Sequence, residues 1–136
     1  MADRAQILAA ATDIISTGMT SAGVLKVKNK QTYFLDEPEY PVIYVLAGAE
    51  DRSARGITGG HKGEMDILIR IATKANEGEE QDTINPYIEQ VYTLIDNNPS
   101  LGGTVSVAEV ATCGTDEGLL YPIEIAEIVV ETVYLE

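Results

Sequence analysis

The sequence predicts an α+β fold: a mainly antiparallel sheet with two helices packed on it. Three observations carry that prediction. Segments 4–17 and 85–97 each show one apolar stripe at helical spacing. Residues 64–73 alternate between apolar and polar. The other apolar runs are short and bounded by turn residues. At 136 residues the chain is sized for a single domain, 1–136, with one core.

Taken in order, the first helix carries Ile7, Leu8, Ala11, Ile14 and Ile15 on one face, with Gly18 as its expected stop. Val24–Lys28 and Thr32–Leu35 flank the turn Lys28–Gln31 and read as a hairpin. Pro41 opens Val42–Leu46, which is apolar on both faces, as a central strand is. Residues 47–63 hold five glycines among polar and basic residues and read as a long, flexible Gly-rich loop. In the strand 64–73, Met65, Ile67, Ile69 and Ile71 share one face, and Asp66 and Arg70 share the other. Asn85 is the expected cap of the second helix, with Pro86 in its first turn and Ile88, Val91, Leu94 and Ile95 buried. Val105, Val107 and Val110 suggest a further strand. The terminal strand Ile123–Leu135 changes apolar parity midway, which a β-bulge near Ala126 reconciles.

Composition narrows the function. The longest apolar run is too short to span a bilayer. The N-terminus lacks the basic and apolar regions of a signal peptide, and the single cysteine, Cys113, forms no internal disulfide. The expected site of synthesis is therefore the cytoplasm. Charge is unevenly spread. All nine Lys and Arg lie at or before Lys74, where nine acidic groups balance them; residues 76–136 carry thirteen acidic groups and no basic one. That pattern argues against phosphate neutralisation of nucleic acid. It fits a solubilising surface, or an acidic face that meets a basic partner or lets DNA slide past.

No chemistry-bearing constellation emerges, and the expectation is a protein that is not an enzyme and uses no cofactor or metal. His61 is the only histidine and has no evident partner for catalysis or metal binding. Lys62 is followed by Gly63 where a phosphate loop needs Ser or Thr. Glu77, Glu79, Glu80 and Asp82 lack the spacing of a calcium loop. Cys113 reads as a packed thiol.

The element order and the run Asn98-Pro99-Ser100-Leu101-Gly102-Gly103-Thr104-Val105 resemble the tail terminator (tail completion, minor tail) proteins of long-tailed bacteriophages. The run makes physical sense by itself. Pro99 stops the helix, Leu101 folds back onto it, and the two glycines permit the reversal. The resemblance covers most of the chain and implies a structural protein of the virion tail at its head-proximal end, made in the host cytoplasm. It implies a homo-hexameric ring that caps the tail tube, stops its polymerisation and offers the head-attachment surface. The implied partners are further copies of the chain, the tail tube protein and a head–tail connector protein, with DNA passing through and no membrane. Another head–tail joining or head-closure protein is the alternative, and a small ligand-binding domain or enzyme is a third. Arg52, Arg55, His61 and Lys62 are candidates for partner contact through the loop. Glu77, Glu79, Glu80, Glu109, Asp116 and Glu117 are candidates for an acidic lumen.

Overall fold

A computed structural model describes residues 3–21, 23–24, 26–29, 40–54, 61–74, 84–115 and 123–135. Its elements in chain order are α1 (Arg4–Thr20), β1 (Lys26–Lys28), β2 (Val42–Ala54), β3 (His61–Lys74), α2 (Asn85–Asp96), β4 (Val107–Thr115) and β5 (Ile123–Leu135). The five strands form one sheet in the order β1-β2-β3-β5-β4. β1 runs parallel to β2, and every other pairing is antiparallel. The fold is thus α+β with the sheet dominant, as the patterning predicts.

Both helices pack on the same face of the sheet. α1 starts with a capping box: the Gln6 amide donates to Asp3 Oδ1 at 2.9 Å and the Asp3 amide to Gln6 Oε1 at 2.8 Å. Ile7, Ala11, Ile15 and Met19, spaced by four, are its buried stripe. α2 buries Ile88, Val91 and Ile95. Opposite them lie Ile43 and Val45 of β2, Met65, Ile67, Ile69 and Ile71 of β3, and Ala126, Ile128, Val130 and Tyr134 of β5. Each isoleucine fully removed from water contributes roughly 2 kcal/mol, so this layer holds most of the stabilising area.

Several expectations change. α1 runs through Gly18 and ends at Thr20. Gly18 is a packing glycine, because a Cβ there would overlap the Leu94 side chain of α2. Asn85 is the first residue of α2, and buried Ile84 holds the cap position without a side-chain hydrogen bond. β1 pairs with β2; the 32–35 arm of the expected hairpin lies outside the described residues. Val105 is buried in the turn ahead of β4, and Ala108 is the buried residue of that strand.

The largest correction concerns 47–63. Residues 47–54 continue β2 and 61–63 begin β3, so only 55–60 fall between the strands, and these lie outside the described residues. Backbone pairing overrides the glycine content here. The ladder shifts between Ala47 and Glu50, absorbing one extra residue at Gly48 and Ala49. Gly63 stays in the strand because the Tyr134 ring lies where its Cβ would be. The bulge expected near Ala126 is absent: β5 pairs with β3 without a shift from Ile123 to Leu135. The two parities of β5 are two apolar faces. Ala126, Ile128 and Val130 meet the helices, while Ile125 joins Val42, Tyr44 and Ala72 in a second cluster on the opposite face. The shift lies in β4 instead, between Val110 and Thr112.

The turn after α2 forms as its residues suggest. Leu101 (φ 44), Gly102 (φ 69) and Gly103 (φ 86) are consecutive left-handed residues. A leucine there is strained, and its complete burial offsets the strain. The Asn98 side chain donates to the Leu94 carbonyl at 2.8 Å, closing the helix, and the Ala108 amide donates to the Pro99 carbonyl at 2.7 Å, tying the turn to β4.

Candidate functional site

Among the described residues no helix covers the second face of the sheet, and this helix-free face carries the unusual chemistry. Strand alternation puts Lys62, Glu64, Asp66, Leu68, Arg70 and Ala72 of β3 on this face, because their odd-numbered neighbours face the helices. The registers then arrange the face as rows. One row runs Glu109, Glu131, Asp66 across β4, β5 and β3. The adjacent row runs Val107, Val133, Glu64, Asp51 and reaches β2. Asp51, Glu64, Glu109 and Glu131 are exposed and Asp66 is half-buried. Carboxylates therefore stand directly opposite carboxylates at three pairings: Glu109 with Glu131, Glu131 with Asp66, and Glu64 with Asp51. Like charges in such positions destabilise a sheet. Lys62 lies 3.8 Å from Glu64, a loose and exposed pair.

Beyond these rows the face becomes apolar. Leu46, Leu68 and Val129 form the next row with Thr112. In the following row Arg70 Nε donates to Glu127 Oε2 at 2.6 Å between Tyr44 and Gly114. Val42, Ala72 and Ile125 then close the apolar end. Val129 and Val133 face away from Ile128 and Val130 and are only half-buried.

At the acidic end, one network on the helix side ties α1 to β2 and β5. Arg4 of α1 donates to Glu50 Oε2 at 2.6 Å and to the Gly48 carbonyl at 2.9 Å. The Tyr134 hydroxyl donates to Glu50 Oε1. The bulge at Gly48 and Ala49 brings Glu50 onto the helix side, where it reaches both partners. The Thr132 hydroxyl, buried on the helix side, donates to the Met65 carbonyl at 2.8 Å. At the other end of β4, Cys113 is exposed on the helix side beside Tyr92 of α2. The hydrogen bond to Cys113, helped by partial burial and by the nearby charges of Cys113 and Glu89, pushes the Tyr92 phenol up from 10.0 to about 12.

Of the residues singled out from sequence, the structure brings Glu109 and Lys62 to this face. Arg52 and His61 belong to β2 and β3, opposite Gly63 and Ala54 respectively. Arg55, Glu77, Glu79, Glu80, Asp116 and Glu117 lie outside the described residues. Sequence reasoning missed Asp51, Glu64, Asp66 and Glu131 as members of one patch. Strand alternation signals Glu64 and Asp66, but only the register shows that Glu131 and Asp51 stand beside them.

A family model described as "Bacteriophage Tail Tube Terminator Protein" matches residues 1–136. No curated protein matches the chain. Among solved structures, a chain from "Virion of native gene transfer agent (GTA) particle" is 11% identical. That likeness covers 95% of this chain and 94% of that one, with a TM-score of 0.50, and it concerns the fold.

Proposed function

Since the chain belongs to the bacteriophage tail tube terminator family, we propose that it is a structural subunit of a hexameric ring at the head-proximal end of the virion tail. The ring caps the tail tube, stops its polymerisation and offers the surface to which the head–tail connector attaches. The observation that carries this reading is the family match along the whole chain. The acidic rows support a further part of it. A ring that DNA traverses benefits from a negative inner wall, because phosphates are repelled and no counterions are released on contact. We assign Glu109 to that wall with Glu131, Asp66, Glu64 and Asp51, and extend it to Glu77, Glu79, Glu80, Asp116 and Glu117. Arg52, His61 and Lys62, in the paired ends of β2 and β3, are together with Arg55 the proposed contacts to the tail tube or a neighbouring subunit.

The test is electron microscopy of tail tubes polymerised with and without the purified protein. Capped tubes of uniform length support the reading, and tubes that lengthen unchecked in its presence overturn it. Protein that joins only completed tails, without limiting their growth, identifies the head-closure role instead. The acidic wall has its own check at low salt, where charge effects are strongest. DNA retained by the assembled ring there contradicts it.

A further inference from the structure

Arg4, Glu50 and Tyr134 form a clasp at the base of the paired ends of β2 and β3, and its parts come from three elements. Tyr134 of β5 pairs with Gly63 of β3, which in turn pairs with Arg52 of β2. Because Gly63 has no side chain, the Tyr134 ring lies across it, and the hydroxyl reaches past β3 to Glu50 on β2. From the helix layer, the Arg4 fork divides between Glu50 Oε2 at 2.6 Å and the Gly48 carbonyl at 2.9 Å. The second contact holds the backbone of the bulge itself, since the ladder shifts between Ala47 and Glu50. A bulge bends its strand and raises the local twist, so whatever fixes the bulge fixes the direction of the residues after it. Those residues are Asp51 to Ala54, paired with Glu64 to His61.

Stability alone gives little reason for this arrangement. The Arg4 side chain is 45% exposed, and an ion pair so open to water contributes little to folding. The clasp does sit where a change of strand direction is passed on to Arg52, His61 and Lys62. We propose that Glu50 is a positioning residue: held by Arg4 and Tyr134, it sets the direction in which the paired ends of β2 and β3 make their contact on the capped tube. Glu50 need not touch the partner, because it acts through the backbone of β2. This inference rests on the ring reading and on the contacts proposed for Arg52, His61 and Lys62, and it adds what aims them.

The test is the capping of tail tubes, counted by electron microscopy over a range of protein concentrations. Arg4→Met removes both bonds of the fork at the exposed start of α1, away from the core. Tyr134→Phe removes the hydroxyl and keeps the ring over Gly63. Each raises the concentration for half-capping by about fivefold, while circular dichroism at the assay temperature matches the parent. A double-mutant cycle separates aiming from general weakening. Lys62 lies on the opposite face of the sheet from the clasp, so Lys62→Ala removes part of the contact without touching the clasp. In that background each clasp substitution costs no more than about twofold, because less remains to be aimed. Folded clasp variants that cap like the parent overturn the proposal, as does a cost that persists undiminished in the Lys62→Ala background. Lys62→Ala that caps like the parent overturns the contact reading and leaves Glu50 nothing to aim. Wild-type protein that caps no tubes overturns the ring reading itself.

Discussion

The two faces of the sheet obey different rules. The helix-covered face is mainly apolar: Ile67, Ile69, Ile71 and Ile128 are at most 1% exposed, and polar groups on it are tied down, Thr132 to the Met65 carbonyl and Tyr134 to Glu50. The helix-free face is graded. One end carries the apolar cluster of Val42, Tyr44 and Ala72, and the other aligns Glu109, Glu131 and Asp66 directly across three strands. The covered face is what packing alone would produce. The acidic rows reduce stability and have no packing role, which is the reason to look for function there.

The comparison breaks most readily on the covered side. Val91→Asp buries an unpaired charge in α2 and is expected to cost at least about 4 kcal/mol, leaving the domain unfolded by circular dichroism. Ile88→Asp should behave alike. If both variants melt like the parent, α2 is not packed as described. An intermediate effect separates two glycines. Gly63→Ala drives a methyl group into the Tyr134 ring, which Glu50 holds by its hydroxyl, so a loss of about 2 kcal/mol is expected in urea unfolding. Gly18→Ala meets Cγ and both Cδ atoms of the half-buried Leu94 side chain, which can rotate aside, and gains up to about 1 kcal/mol of helix propensity, so its midpoint stays nearer the parent's. Equal losses at the two sites would remove the distinction between a held ring and a free side chain.

On the helix-free face the sign reverses. Glu131→Gln removes repulsion toward Glu109 and Asp66, and it is expected to stabilise the fold by about 0.5 kcal/mol at low salt. The gain should fade as salt screens the charges. A destabilised variant would show that the carboxylate makes a bond that the row geometry does not reveal. The corner of β4 near α2 is read out by titration rather than by unfolding at neutral pH. Spectroscopic titration of Tyr92 should give a value near 12, falling toward 10 in Cys113→Ala. Because the folded value is the raised one, its contribution to stability is complete below pH 10 and is lost as the pH climbs from 10 toward 12. An unshifted Tyr92 in the parent would disconnect the pair.

Legibility followed the range of the interactions involved. Ile7, Ala11 and Ile15, and Ile88, Val91 and Ile95, are neighbours within their own helices, so spacing alone revealed them. The alternation of Met65, Ile67, Ile69 and Ile71 was equally plain. Gly18 misled because a glycine near a helix end serves either as a stop or as a contact, and only the position of Leu94 distinguishes the two. The stretch 47–63 misled because polar, glycine-rich strands lack the apolar signal by which strands are read, although their backbones pair as well as any. The phase change in β5 looked like a bulge because one buried face was assumed where there are two.

The sequence by itself determined the fold class, both helices, the inward face of β3, the turn at Leu101–Gly103 and the concentration of negative charge after residue 75. Each depends on residues within a few positions of one another or on composition. Tertiary structure alone decided the rows. Glu109 and Asp66 are 43 positions apart, and both flank Glu131 only because β5 inserts between β3 and β4 in one particular register. A slip of one residue would have turned those carboxylates toward the helices. The buried isoleucines on the opposite side of the same strands hold the register, so the core that stabilises the fold also aligns the charges of the proposed inner wall.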